Sequence, residues 1–184
     1  NVKEEAIQAG INGFLTKPIF KADILERLKQ YIQGGYQEDE EQQIRESDNL
    51  EGIRILVADD NELNLEIMYE IFNSSGAAVD CAHNGKEALE AYLKSSQGYY
   101  QIILMDVHMP EMNGLEATKE IRNSGRPDAS IVPIIAMTAD VFKEDIRRCQ
   151  DAGMNAHMGK PVELDKLYST VRKLLNKEAL GEKQ

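Results

Sequence analysis

Ile53-Arg54-Ile55-Leu56-Val57-Ala58-Asp59-Asp60 is the stretch on which the fold turns. A short aliphatic run stops abruptly on two carboxylates, as a strand buried on both faces does when it reaches the edge of a sheet. The same form returns three times. Ile102-Ile103-Leu104-Met105 runs into Asp106, Pro133-Ile134-Ile135-Ala136-Met137 into Thr138, and Ala156-His157-Met158-Gly159 into Lys160. Stretches with apolar residues at helical spacing lie between these runs, and strands alternating with helices describe a parallel α/β sheet. In such sheets ligands collect beyond the carboxyl ends of the strands, where this sequence sets three carboxylates, a hydroxyl and an amine.

Working outward, the first strand covers 53–58, and the next helix carries Leu63, Ile67, Met68, Ile71 and Phe72 on its apolar stripe until Ser74-Ser75-Gly76 stops it. Ala77 to Ala82 reads as the second strand. Asn84-Gly85 turns into a helix bearing Ala88, Leu89, Tyr92 and Leu93. A Met109-Pro110 loop follows Asp106 and leads to a helix from about Asn113 to Asn123. A further helix runs through Phe142, Ile146 and Cys149, and the last one buries Leu164, Leu167, Val171, Leu174 and Leu175. Five β-α units predict a small doubly wound domain over 52–178, with the flavodoxin-like strand order 2-1-3-4-5.

The rest of the chain reads differently. From Glu38 to Glu51 there are seven acids against one arginine, opened by Gly34-Gly35, with Ile44 and Leu50 the sole aliphatic residues before Gly52. Such a stretch cannot bury enough apolar surface to offset its ordering entropy, so 34–51 is expected to be an acidic linker. Residues 1–33 repeat the end of the chain at a constant offset of 143: Ala9-Gly10 on Ala152-Gly153, Asn12 on Asn155, Lys17-Pro18 on Lys160-Pro161. Ile24, Leu25 and Leu28 likewise fall on Leu167, Tyr168 and Val171. A repeat of that period means tandem domains, so 1–33 reads as the carboxyl-terminal fragment of a second such domain, and 179–184 as a tail.

Composition narrows the function. The 184 residues are 42% hydrophobic and 29% charged, suited to a soluble globular protein. The net charge of −11 argues against direct nucleic-acid binding. No apolar run nears the roughly 20 residues of a membrane span, and no signal-peptide pattern opens the chain. Cys81 and Cys149 form neither metal spacing nor a disulfide framework, which predicts reduced thiols in a cytoplasmic setting. Because the sequence begins at Asn1, it is expected to be a piece of a longer protein.

Asp59, Asp60 and Asp106 would meet at one sheet edge if strands one and three are neighbours. Carboxylates that close raise one another's proton affinity, a cost usually recovered by binding a cation. Magnesium suits them, taking oxygen ligands while keeping waters for an incoming phosphoryl group. Asp60 and Asp106 are expected to coordinate directly and Asp59 mainly through water, with a backbone carbonyl near His108 completing the protein's share. Asp106 is then the nucleophile, Lys160 its counter-charge and Thr138 a hydrogen-bond donor to the transferred group. His83, His108 and His157 have no ligand spacing among themselves and read as structural or surface side chains.

Ile55 to Asn61, the Leu104-Met105-Asp106-Val107-His108-Met109-Pro110-Glu111-Met112-Asn113-Gly114 stretch, Ile134 to Ala139 and Gly159-Lys160-Pro161 resemble the receiver domain of two-component signalling. Two receivers in tandem, and the Met-Pro-Glu-Met-Asn-Gly wording, look most like the end of a hybrid sensor histidine kinase. The resemblance implies a phosphorelay: a histidine kinase domain charges Asp106, and a histidine phosphotransfer protein or water drains it. It further implies a cis Lys160-Pro161 bond, and a switch that draws in the Thr138 hydroxyl while an aromatic three residues before the lysine turns. His157 stands at that position here and Phe14 in the fragment. Two rival readings use the same acids. A magnesium-dependent aspartyl-phosphate hydrolase would want a carboxylate where His108 stands, and a degenerate receiver would serve only as a protein-binding module.

Overall fold

The computed structural model describes residues 49–139 and 142–179, with side chains as far as Asn176. The expected 1–33 fragment, all but the end of the 34–51 linker, and the tail beyond Ala179 lie outside those residues. Five β-α units follow in order: β1 (Arg54–Ala58), α1 (Glu62–Ser74), β2 (Ala78–Ala82), α2 (Gly85–Lys94), β3 (Ile102–Asp106), α3 (Gly114–Asn123), β4 (Ile134–Thr138), α4 (Lys143–Asp151), β5 (Ala156–Gly159) and α5 (Leu164–Ala179). The strands form one parallel sheet in the order β2-β1-β3-β4-β5, as the sequence predicts. No helix among the described residues is long and apolar enough to cross a membrane.

Alternation along each strand supplies two cores. Leu56, Ile103, Met105 and Ile134 pack with Ala88 and Tyr92 of α2, Ile121 of α3 and Cys149 of α4. Ile55, Val57, Leu104, Ile135 and Met137 pack on the other face with Leu65, Met68 and Phe72 of α1 and with Leu167 and Val171 of α5. Each Leu, Ile, Val, Met or Phe side chain among them contributes about 1.5–3 kcal/mol when taken from water, so both faces are driven shut. Three helices start on asparagine caps: Asn61 accepts the Leu63 N–H, Asn84 that of Glu87, and Asn113 that of Glu116 in a full capping box.

Some expected core positions are corrected. Leu63 is 53% exposed, because the inward stripe of α1 runs through Leu65, Met68 and Phe72. Leu93 is exposed at the outer end of α2, and Phe142 is 70% exposed as the N-cap of α4. Leu50, within the stretch read as linker, is buried on the α1–α5 face, and its N–H donates to the Ser75 carbonyl (2.8 Å).

Two arginines hold the amino edge of the sheet. Arg122 of α3 donates to the carbonyls of Gly153 (2.9 Å), Ala129 (2.6 Å) and Val132 (2.9 Å) and to Asn155 Oδ1 (2.8 Å). Asn155 in turn brackets Ile134, accepting its N–H and donating to its carbonyl, both at 2.8 Å. Gly153 ends α4 at φ +95°, where an added Cβ would also meet Arg122 Cγ at 3.1 Å. Arg126 lies over the Tyr92 ring and bonds the Tyr92, Ser95 and Ser96 carbonyls at the end of α2. It also grips Asp128 at both oxygens (3.0 and 2.9 Å), and the Gly98 N–H adds a third bond at 2.8 Å. The Arg126 guanidinium thus holds the Asp128 carboxyl far below the usual carboxylate range despite its burial.

Candidate functional site: an acidic pocket at the carboxyl edge

β1 and β3 are adjacent, so the residues that follow their last apolar positions emerge side by side. Asp59 keeps its backbone in the ladder, its N–H donating to the Ala82 carbonyl (3.1 Å). Its side chain is fully buried. Oδ1 accepts the Asn61 N–H (3.0 Å) and Asn64 Nδ2 (2.9 Å), while Oδ2 accepts Lys160 Nζ (2.6 Å). Asp60, the next residue, is exposed. Asp106 ends β3 nearly buried, with Oδ1 accepting the His108 N–H (3.2 Å) and Oδ2 accepting Lys160 Nζ (2.5 Å).

Lys160 reaches both acids because β5 delivers it beside β4. Its own N–H donates to the Thr138 carbonyl (2.8 Å), and the Lys160-Pro161 bond is cis, as the resemblance implied. Thr138 is buried at the end of β4, one residue beyond the Met137 that pairs with Asp106. The strands therefore bring Asp59, Asp60, Asp106, Thr138 and Lys160 to one edge. His108 has an exposed side chain and meets Asp106 through its amide.

Burial drives the Asp106 carboxyl above its ordinary range. The Lys160 ammonium and the His108 amide pull it back, and the neighbouring Asp59 charge adds to the rise. For Lys160, burial alone would lower proton affinity, but the bonds to Asp106 and Asp59 outweigh it and the amine is held above its usual value. The site is thus a half-buried ammonium shared between two carboxylates, with a third acid open to water.

Asp59, Asp60 and Asp106 each offer an oxygen, all within 4.8 Å of one another. An all-carboxylate set with no sulfur or imidazole suits a hard divalent cation, and the exposed Asp60 gives a hydrated ion its approach. Asn61 and Asn64, which the sequence reading did not assign to the site, saturate one oxygen of Asp59 and so orient it. The signal for Asn61 was its place as N-cap after a strand; Asn64, one turn on, left none. His83, read as a surface side chain, is exposed and bridges Glu62 and Glu87 at 3.1 Å each.

Residues 55–172 match the family described as response regulator receiver domain. Hybrid signal transduction histidine kinase L of Dictyostelium discoideum is 36% identical over 121 residues, covering 65% of this chain and 7% of that protein. The receiver domain of sensor histidine kinase PA1611 from Pseudomonas aeruginosa, solved with magnesium coordinated in its active-site cleft, matches with a TM-score of 0.61 at 31% identity, covering 68% of this chain and 98% of that one. A receiver from Saccharomyces cerevisiae, that of Ssk1 in complex with the histidine phosphotransfer protein Ypd1, matches with a TM-score of 0.62 at 29% identity, covering 69% and 91%. The chain belongs to the response regulator receiver domain family, the receivers of phosphorelay signalling found in hybrid histidine kinases and response regulators. It spans less than a fifth of the length of the curated relatives it matches.

Proposed function

We propose that residues 52–178 accept a phosphoryl group on Asp106 from a phosphohistidine in the presence of magnesium, and pass it to a histidine phosphotransfer protein or to water. The observation that carries this reading is the Lys160 ammonium bonded at once to Asp59 and Asp106, with three carboxylate oxygens gathered beside it. Asp106 attacks phosphorus as the phosphorus–nitrogen bond breaks, and the imidazole leaves with the bonding pair. Lys160 then follows the charge from the carboxylate to the phosphoryl oxygens, and the Thr138 hydroxyl donates to the same group. Asp60 and Asp106 would hold magnesium directly, Asp59 through water, with a carbonyl near His108. When bound, the ion neutralises charge on the oxygens of the transferred group.

The resemblance to kinases many times longer supports a further part of the reading: the parent is a hybrid histidine kinase, cytoplasmic in this portion. Residues 1–33 would close a preceding receiver, 34–51 link the two, and 179–184 form a tail. The hydrolase alternative is disfavoured, because His108 offers no carboxylate and only its amide meets Asp106. Acetyl phosphate with magnesium is expected to give a base-labile adduct that peptide mapping puts on Asp106. An adduct of equal yield at the same position of Asp106→Asn overturns the assignment.

A further inference from the structure

Gly85 follows Asn84 and reads as a turn residue, yet its φ lies outside the left-handed region. What excludes a side chain there is the loop after Asp106. The Gly85 N–H donates to the Met112 carbonyl at 3.0 Å. A Cβ on Gly85 would stand 2.5 Å from that oxygen and 3.0 Å from both the Asn113 carbonyl oxygen and Ala117 Cβ. The loop is pinned at its base as well: the Gly114 N–H donates to the Val107 carbonyl (3.1 Å), and Gly114 Cα lies so close to the Asp106 carbonyl that a Cβ would collide with it. Between these pins the chain makes a tight turn, with Met112 N–H bonded to the Pro110 carbonyl (2.7 Å) and Glu111 at φ +63°. The segment so held carries the His108 N–H that bonds Asp106.

We propose that Gly85 is a positioning residue for phosphoryl acceptance: the first residue of α2 holds the Met112 carbonyl, fixes the 107–113 loop against the end of β3, and so sets the His108 amide on Asp106. This rests on Asp106 being the acceptor. In Gly85→Ala the Met112 carbonyl must retreat by about half an ångström or more to escape the new methyl. Displacements of this order near reacting groups cost rate steeply, so labelling should slow by about tenfold or more.

The test is the rate of Asp106 labelling by acetyl phosphate in the 184-residue chain, at saturating magnesium and acetyl phosphate. In that reaction Asp106 attacks phosphorus and acetate departs with the electrons of the broken phosphorus–oxygen bond. Gly98→Ala is the control, since Gly98 lies in the loop beyond the far end of α2, at φ +70°, with nothing within 4 Å of an added Cβ. It should lose stability without losing rate. Equal maximal rates for Gly85→Ala and wild type overturn the proposal while leaving Asp106 as acceptor. No labelling of Asp106 in wild type overturns the acceptor reading itself. Should Gly85→Ala not fold, hydrogen exchange in wild type decides. If the Gly85 bond to the Met112 carbonyl and the His108 bond to Asp106 belong to one rigid segment, phosphorylation of Asp106 should alter protection of the Gly85 amide and leave Gly98 unmoved. Unchanged exchange at Gly85 overturns the proposal.

Discussion

Two carboxylates, Asp106 and Asp128, expose little surface at opposite edges of the sheet, Asp106 the more deeply enclosed, and each touches a cation, yet they are shifted in opposite directions. At the amino edge Asp128 is the one carboxylate on the Arg126 guanidinium among the described residues, gripped at both oxygens, and it also accepts the Gly98 amide. At the carboxyl edge Asp106 shares one ammonium with Asp59, takes one long amide bond, and faces a like charge. Burial costs both acids, Asp106 the more, and the bonds outweigh it at one edge and not at the other. The difference teaches where this fold keeps its stability and where it leaves charge waiting for a ligand.

The largest expected effect is at Asp106. Its replacement by asparagine should abolish phosphoryl labelling without lowering metal-free stability, because a carboxyl whose proton affinity rises on folding destabilises the fold when ionised. A melting temperature several degrees below wild type would break the contrast. Next is the metal. Magnesium at 100 times its dissociation constant should stabilise wild type by about 2.7 kcal/mol, and Asp60→Ala should lose most of that increment. An unchanged increment in a thermal melt would remove Asp60 from the ion's ligands.

Asp128→Asn should cost about 2 kcal/mol in urea unfolding while labelling keeps its wild-type rate. The pH sign follows from a folded-state affinity below that of the unfolded chain. The contribution of Asp128 is complete above the ordinary carboxylate range, near pH 4, and is lost as pH falls toward its depressed folded value. The variant's stability should therefore converge on that of wild type in acid; a constant gap would contradict the assignment. Smallest is the coupling between the edges. Asp106→Asn and Asp128→Asn should add to within about 0.5 kcal/mol, and a larger discrepancy would show that the two ends communicate.

Much of the site was legible because a parallel sheet turns sequence position into spatial position. The residue after each buried run had to emerge at one edge, which carried Asp59, Asp60, Asp106, Thr138 and Lys160 together. What stayed hidden depends on partners that leave no pattern. Arg122 and Arg126 work largely on main-chain carbonyls, which every residue has. Gly85 looked like a turn, since nothing in its neighbours announces a loop arriving from residue 112. Leu63 looked like core because spacing gives the period of a helix, while its rotation is settled by packing. The 143-residue repeat mixes both kinds of information: Gly153 and Asn155 serve the Arg122 clamp, and Lys160 serves the acidic pocket.

The Arg122 clamp has a mechanical consequence. Both main-chain groups of Ile134, the first residue of β4, are tied to Asn155, and Arg122 fastens Asn155 to the lead-in carbonyls of Ala129 and Val132. The strand that ends at Thr138 is thus bolted at its origin. A disturbance starting at the far tip is therefore expected to tilt or twist β4 about this anchor rather than slide it along its axis, with displacement falling from Lys160 toward residue 134.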